Sequence, residues 1–192
     1  MSPDKLLVTK NNTLLLVVDI QERLCPTMDA GWLKSVIANL GLISLYAQLE
    51  GLPVILTEQY PQGLGPTHAD VLKHLSAIKY QKYEKDAFSC AKDALILEAL
   101  RKHQDKQIIL TGMETHICIY LTALGLLEHG FNVMVPHDAV ITRTKHNHKN
   151  GLHLMREAGA VVTNSETLIF QMMERSKGET FKSISRYIKS QK

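Results

Sequence analysis

Cysteine is scarce in this 192-residue sequence, and its three cysteines, Cys25, Cys90 and Cys118, lie at wide spacings without a Cys-x-x-Cys pair. A disulfide framework and a cysteine-based zinc site are therefore disfavoured, and the pattern is typical of a reducing compartment. A long uncharged apolar run is also missing, so we expect no membrane-spanning segment. The first ten residues carry charged side chains and no apolar stretch, which argues against a secretory signal. We expect a cytoplasmic protein with no membrane partner.

The sequence has no large excess of charge of either sign, because 22 basic residues against 19 acidic ones leave a net charge of +3. Such a mild balance does not demand an anionic polymer, and we expect no nucleic-acid partner. No linker, repeat or low-complexity run divides the chain, which predicts a single domain over residues 1–192. Residues 177–192 carry Phe181, Ile184 and Ile188 at helical spacing. They predict a C-terminal helix that docks on this domain or on a neighbouring subunit of a homo-oligomer.

Short apolar runs that end in polar residues recur along the chain and are typical of buried strands. They are residues 13–18, 54–56, 108–110, 132–135 and 160–163, with residues 78–80 as a weaker candidate. Segments of helical period lie between them, and one contains Trp32, Val36, Leu40, Ile43 and Ala47. The alternation predicts an α/β protein, a three-layer Rossmann-like fold with about six mostly parallel strands flanked by helices.

A glycine-rich turn is absent after the first strand, where the sequence reads Asp-Ile-Gln-Glu-Arg from Asp19 to Arg23. A dinucleotide-binding oxidoreductase of similar architecture needs such a turn to bring its backbone against the pyrophosphate. This absence disfavours that class of enzyme, and we expect no cofactor.

Polar residues that terminate the strands are the first candidates for chemistry, because the crevice of a parallel sheet lies beyond the carboxyl ends of its strands. They are Asp19, the stretch from Thr57 to Tyr60, Lys85 and the turn from Gly112 to Cys118. Asp19 follows five apolar residues, and a carboxylate at that depth needs a charged or hydrogen-bonded partner, unless it only caps the next turn. Lys85 follows the weakest strand, and by itself it is indistinguishable from a surface lysine.

Cys118 lies where a strand gives way through Gly112 to a helix that runs towards Gly130. In the first turn of a helix, unpaired amides and the positive end of the dipole favour a thiolate. The position therefore predicts a lowered thiol pKa and an amide cluster that can hold an oxyanion. A small buried structural cysteine is the alternative.

Taken together, these three residues resemble the isochorismatase-like cysteine hydrolases. The family's aspartate stands in an Asp-x-Gln setting similar to Asp19 and Gln21, and its lysine precedes a Phe-Ser pair, as Lys85 does. Its nucleophile lies in a Gly-x-x-Thr-x-x-Cys turn, similar to that from Gly112 to Cys118. The resemblance extends from about residue 14 to residue 170. It implies that Asp19, Lys85 and Cys118 form a catalytic triad.

One subgroup, the isochorismatase domain-containing proteins, has a segment similar to Thr57 through Thr67 of this chain. Nicotinamidases of the same superfamily carry an Asp-x-His metal motif near this point, whereas His68 stands alone here. We therefore expect no catalytic metal. His146 and His148 are two residues apart on a helical segment, so they diverge, and we expect both at the surface.

The resemblance further implies a cis peptide between Met113 and Glu114 and an oxyanion hole formed by the backbone amides of Glu114 and Cys118. It implies hydrolysis of a C–N or related bond of a small molecule through a covalent thioester. Side chains near the predicted crevice are candidates for the substrate pocket, and they are Gln21, Tyr60, Leu64, His116, Ile117 and Tyr120. The alternative function is a catalytically silent binding or scaffold protein of the same fold.

Overall fold

The sheet has seven strands and every pairing between them is parallel. The computed structural model describes residues 6–191. The strands are β1 (Thr13–Val18), β2 (Val54–Gln59), β3 (Tyr80–Lys85), β4 (Gln107–Met113), β5 (Asn132–Pro136), β6 (Val140–Ile141) and β7 (Val161–Thr163). Their order is β3-β2-β1-β4-β5-β7, and β6 pairs with the end of β4.

The predicted α/β class is confirmed, with one strand more than expected. The additional strand, β6, has only two residues, too few for a periodic signal. Strand β3 runs over residues 80–85 rather than 78–80. It forms the edge of the sheet, where Gln81, Lys82 and Glu84 face solvent, and an edge strand of this kind lacks the apolar run by which central strands are recognised.

Helices cover both faces of the sheet. They are α1 (Ala30–Glu50), α2 (Pro61–Leu64), α3 (Ala69–Leu75), α4 (Ala94–Arg101), α5 (Tyr120–Glu128), α6 (Lys145–Glu157), α7 (Ser165–Met173) and α8 (Glu179–Ser190). Because side chains alternate along a strand, Leu15 and Val17 of β1 pack with α1, α3, α7 and α8, while Leu14 and Leu16 pack with α4, α5 and α6. This alternation produces the three layers.

Helix α1 is the exception to the expectation that no segment could span a membrane, because it is 21 residues long and apolar enough to do so by length and composition. Half of the apolar stretch of this helix is buried inside the fold, as in the core helix of a globular domain. It begins after Asp29, which accepts a hydrogen bond from Trp32 N, and ends at Gly51 in the left-handed conformation.

Helix α8 lies within the predicted range of residues 177–192 and docks on its own domain. Ile184 is fully buried in the core beside α1. Tyr187 Oη donates to the carbonyl oxygen of Ala38 at 2.8 Å. The apolar stripe read from the sequence is therefore the face that packs on α1.

Candidate active site

Asp19 follows the last residue of β1 and is fully buried. Its φ of 54° lies in the left-handed region, which aspartate tolerates better than most residues. Two donors hold the carboxylate: Thr57 Oγ1 at 2.7 Å from Oδ1 and Lys85 Nζ at 2.6 Å from Oδ2. The buried carboxylate is thereby compensated by a positive charge and by a hydroxyl. The sequence predicted this need, because Asp19 follows a run of apolar residues.

Lys85 is the last residue of β3, and its ammonium group is fully buried against Asp19. Its other acceptors are Gln59 Oε1 at 2.7 Å and the carbonyl oxygen of Phe88 at 3.4 Å. All three N–H groups therefore have acceptors. Burial lowers the pKa of Lys85, but the negative charge of Asp19 and the nearby thiols outweigh it and leave the pKa above its ordinary value.

Cys118 lies in a π-helical turn, Thr115–Ile119, that leads into α5. The turn is closed by Ile119 N, which donates to the carbonyl oxygen of Glu114 at 3.2 Å. Cys118 lies close enough to Asp19 and Lys85 for both of their charges to act on its thiol, so the structure brings the three predicted catalytic residues together. Cys118 is 7% exposed, more than Cys25 at 3% and Cys90 at 0%.

The predicted lowering of the Cys118 pKa is wrong for the resting protein. Burial and the adjacent Asp19 carboxylate raise the pKa of Cys118 to about 12, and the positive charge of Lys85 only partly offsets them. The sulfur is therefore a thiol at neutral pH, and a base must take its proton before it can attack. Asp19, the buried carboxylate whose charge acts on that thiol, is the group in position to do so.

Glu114 precedes the π-helical turn, and the peptide bond between Met113 and Glu114 is cis. The Glu114 side chain is buried, and its Oε2 atom accepts hydrogen bonds from Thr142 Oγ1 at 2.7 Å and from Arg143 Nε at 2.9 Å. Burial raises the pKa of this carboxyl, but the bonds from Thr142 and Arg143 outweigh it and leave the pKa below its usual value.

Two further groups complete the site, Thr57 and Gln59 of β2, and both belong to the polar stretch at residues 57–60 that was predicted as a candidate, without an assigned role. Strand β2 lies between β1 and β3, so its terminal side chains are placed between Asp19 and Lys85. Thr57 binds Asp19, and Gln59 binds Lys85. The available signal was the polar end of the run, since residues that follow a buried strand at the carboxyl edge of a parallel sheet face the same crevice.

Gln21, a predicted pocket residue, is fully buried, and its amide is occupied by other parts of the protein. Its Nε2 donates to the carbonyl oxygens of Gln59 and Gly65, at 3.0 and 2.7 Å, and its Oε1 accepts from Gln59 N. Gln21 therefore joins the ends of β1 and β2 to the next loop, and its amide donors are fully used inside the protein.

The other predicted pocket residues occupy different environments. Tyr60 is 59% exposed and stands beside the end of β3, with its N–H donating to the carbonyl oxygen of Lys85 at 2.9 Å. Leu64 is half-buried at the end of α2. Ile117 and Tyr120 pack partly buried against the core on the α5 side. His116 bonds to Thr142 Oγ1 and to Asn147, at 2.9 and 3.3 Å.

A cavity of about 610 Å³ lies beside the π-helical turn, within the size range of small-molecule sites. Two of its lining residues are bonded to this part of the chain. Arg143 binds Glu114, which precedes the turn, and His148 Nδ1 lies 3.0 Å from Thr115 Oγ1 within it. The lining residues are Asp29, Trp32, Arg143, Lys145, His148 and Lys149. None of them was predicted as a pocket residue, although α1 and α6 follow strands and so begin at the carboxyl edge of the sheet.

His148 differs from the surface position expected for it, whereas His146 is exposed as expected. The His148 ring packs edge-on against Trp32 with a centroid distance of 4.9 Å. Burial, with a smaller contribution from His137, lowers the pKa of His148 to about 4. The two side chains diverge because they are two positions apart on α6, and only His148 points towards α1.

Within residues 6–191, no cluster of three or more histidine, cysteine or acidic side chains could hold a metal ion. His68 caps α3 by accepting a hydrogen bond from Asp70 N at 3.3 Å.

Comparison with known proteins places the fold in one class, hydrolase folds built on a parallel sheet between layers of helices. The Isochorismatase domain family matches residues 13–167. Isochorismatase domain-containing protein 2 of Bos taurus is 34% identical over 182 residues, which cover 95% of this chain and 85% of that protein. Isochorismatase family protein 1A of Dictyostelium discoideum is 37% identical over 135 residues, which cover 69% of this chain and 66% of the relative. The chain belongs to the Isochorismatase domain family.

Solved structures agree on the fold. MAR1 ribonuclease from Caenorhabditis elegans superposes with a TM-score of 0.85 at 31% identity, over 94% of this chain and 91% of that chain. The nicotinamidase from Staphylococcus aureus superposes with a TM-score of 0.67 at 19% identity, over 80% and 99% respectively. The protein therefore has the hydrolase fold of its family.

Proposed function

We propose that the protein is a cysteine hydrolase that cleaves a C–N or related bond of a small molecule, with Asp19, Lys85 and Cys118 as its catalytic residues. The observation that carries the proposal is the buried ion pair between Lys85 and Asp19, 2.6 Å apart, next to the Cys118 thiol. A buried ion pair is a weak source of stability, so its place beside the most exposed cysteine is better explained by chemistry.

In the proposed reaction, Asp19 takes the proton of the Cys118 thiol as the sulfur attacks the carbonyl carbon. A carbon–sulfur bond forms, and the carbonyl electrons move to oxygen, where the amides of Glu114 and Cys118 stabilise the charge. When the carbonyl reforms, the carbon–nitrogen bond breaks and the amine leaves with the proton from Asp19. Water then attacks the thioester and gives a proton to Asp19, and the sulfur leaves as the thiol after recovering that proton.

The ammonium group of Lys85 favours each negative charge that passes between Asp19 and Cys118. It is anchored by Gln59 and by the carbonyl oxygen of Phe88. Lys85 thus holds Asp19 in place and lowers the energy of the transient thiolate, while the raised pKa of Cys118 keeps the thiol protonated until substrate arrives.

A ribonuclease is the second candidate, because a neighbour at 31% identity carries that name and three basic side chains line the cavity beside the turn. A catalytically silent scaffold is the third. The burial of Asp19, Lys85 and Cys118 favours attack on a small substrate over attack on a polymer.

The test is release of amine from a panel of small amides by the wild type, with Cys118→Ser, Asp19→Asn and, as matched control, Cys25→Ser. We expect the first two to lose at least about 10²- to 10⁴-fold in rate and the control to keep its rate. Mass spectrometry should find the trapped acyl group on Cys118. Hydrolysis that survives Cys118→Ser would contradict the mechanism, and RNA cleavage without amide hydrolysis would favour the ribonuclease. Inertness towards every probe would favour the scaffold.

We further propose a homo-oligomer in a reducing compartment such as the cytoplasm. Three free buried cysteines and exposed apolar side chains at Tyr60 and Phe88 support this. One structural neighbour, the YcaC gene product of Escherichia coli, is described as an octameric hydrolase. Light scattering of the purified protein tests the assembly, and a monomer at micromolar concentration would contradict it.

A further inference from the structure

The buried Glu114 carboxylate lies on the residue whose backbone amide is the proposed oxyanion donor. Its Oε2 atom receives hydrogen bonds from Thr142 Oγ1, from Arg143 Nε and from Arg143 N, at 2.7, 2.9 and 3.3 Å. Both partners lie in the connection between β6 and α6. The turn that carries Cys118 is therefore tied, through a side chain, to a segment nearly thirty residues away in sequence.

The hydrogen positions in this cluster follow from its geometry. Glu114 is ionised at neutral pH and can only accept, so Thr142 gives its single hydroxyl proton to Glu114. His116 Nδ1, 2.9 Å from Thr142 Oγ1, must then carry a proton and donate it to that oxygen. His116 Nε2 is left as an acceptor for the Asn147 amide at 3.3 Å. The two ring nitrogens of His116 thus have different roles, with Nδ1 as donor and Nε2 as acceptor.

We propose that Arg143, Thr142 and His116, with Asn147 behind it, are positioning residues that fix the Glu114 amide in the oxyanion hole. We call this group the Glu114 clamp. The inference rests on the proposed function and deepens it. His116, predicted from the sequence as a pocket residue, acts through Thr142 and Glu114, and it is not the base of the reaction.

The position of the clamp beside the oxyanion hole has a physical reason. An oxyanion donor accelerates a reaction only if it already points to where charge will develop, and a backbone amide cannot be aimed by a rotamer of its own. Burying the carboxylate of the same residue against two donors fixes the orientation of that peptide. A misplacement of about 1 Å in such a group costs as much as 10²-fold in rate.

Two probes separate a misaligned oxyanion hole from a damaged nucleophile. Acylation of Cys118 by p-nitrophenyl acetate forms a tetrahedral oxyanion, and the thiolate displaces nitrophenolate from the acetyl carbon. Alkylation by iodoacetamide forms the carbon–sulfur bond as iodide leaves, at a saturated carbon, and develops no oxyanion. Both reactions need Asp19 to take the thiol proton. Only acylation develops an oxyanion, so only acylation depends on the Glu114 amide.

The experiment compares the wild type with Thr142→Val, which keeps the shape and removes the hydroxyl, and with Thr142→Ser, which restores it. Arg143→Gln is the second variant, because Arg143 is 52% exposed and its replacement leaves the core intact. Arg156→Gln, which replaces an exposed arginine near the end of α6 and away from the cavity, is the matched control. Peptide mapping confirms that label resides on Cys118 rather than on Cys25 or Cys90.

We expect Thr142→Val and Arg143→Gln to slow acylation by about 10- to 100-fold while alkylation keeps its rate, and Thr142→Ser and Arg156→Gln to stay near the wild type. Unchanged acylation in both variants would overturn the clamp. An equal loss of acylation and alkylation would overturn it too, because that pattern marks general damage to the turn.

Nitrogen-15 NMR of the His116 ring tests the clamp even without catalysis. The wild type should show the Nδ1–H tautomer, and Thr142→Val should show a mixture. An Nε2–H tautomer in the wild type would overturn the inference. If wild-type Cys118 takes neither probe, the proposed function fails, and this NMR result alone then decides whether the clamp exists.

Discussion

The Lys85 ammonium lies 2.6 Å from the Asp19 carboxylate, although the two residues are 66 positions apart in sequence and neither side chain is more than 1% exposed. Strand β2 stands between the strands that carry them. The lysine therefore reaches past β2, where Gln59 also accepts from it at 2.7 Å. This contact connects the edge of the sheet to its centre at the proposed reaction site.

The Lys85–Asp19 pair should couple strongly in stability. Lys85→Met leaves a buried carboxylate without its counter-charge and is expected to lower the free energy of unfolding by about 3–5 kcal/mol. The double variant Asp19→Asn with Lys85→Met should lose much less than the sum of the single losses. Urea unfolding measures this. Lys182→Met, which removes the exposed pair with Glu179, is the control and should change stability by less than about 1 kcal/mol. Additive losses at the buried pair would refute the coupling.

Gly112 should be the least replaceable glycine near the site. It has φ of 120°, and a Cβ there would stand 2.0 Å from the carbonyl oxygen of Val18, its neighbour in the β1–β4 pairing. Gly159 has φ of 102° with open space around it. Gly159→Ala should therefore lower stability only by the strain of an alanine at positive φ, about 1–3 kcal/mol. Gly112→Ala should cost clearly more, measured by thermal unfolding or by soluble yield. Equal losses would show that the close approach to Val18 is unimportant.

Stability should fall between pH 6.5 and pH 5 because of His148. Burial lowers the pKa of His148 to about 4 in the folded protein, whereas an unfolded histidine titrates near 6.5. The unfolded state therefore takes up the proton first, so the stability is complete above about pH 6.5 and is lost as the pH falls towards 4. Urea unfolding at pH 7 and pH 5 should show a smaller loss for His148→Gln than for the wild type. A loss equal in both proteins would refute the assignment.

The cavity beside the π-helical turn should bind small anions that have an apolar body more tightly than neutral molecules of the same shape. Arg143, Lys145 and Lys149 line it together with Trp32, and opposite charge attracts over several ångströms in a concave site. Benzoate should slow the acylation of Cys118 at lower concentration than benzyl alcohol does, and this advantage should shrink at high salt. Lys149→Gln should weaken benzoate several-fold, while Lys189→Gln on the exposed end of α8 should not. Equal potency of the two compounds would count against an anion site.

The central strands could be predicted because they are buried on both faces. Residues 14–18 form an unbroken apolar run, and β1 (Thr13–Val18) contains them, with every residue buried. Strand β3 has one neighbour and an exposed side, so its polar residues 81–84 carried little signal and its range was misplaced. Local hydrophobicity reports burial, and it fails where the fold leaves a strand half exposed.

The candidate site was predicted less evenly. Asp19, Lys85 and Cys118 were selected by their places after strands and by a family resemblance, and the structure brings them together. Thr57 and Gln59 lay in the polar stretch selected by the same argument, but their roles could not be predicted because their partners belong to other strands. The expected low pKa of Cys118 failed because a helix start argues for a thiolate locally, whereas burial and the neighbouring Asp19 act through space and prevail.

The sequence by itself determined which segments enter the core and where each strand ends, since both follow from the order of apolar and polar residues along the chain. The tertiary structure decided which ends become neighbours. Only the strand order places β3 next to β2 and β2 next to β1, and thereby sets Lys85 against Asp19. Only the approach of the β6–α6 connection gives the Glu114 carboxylate its partners. Charges and hydrogen bonds depend on distances in space, and those distances exist only once the chain has folded.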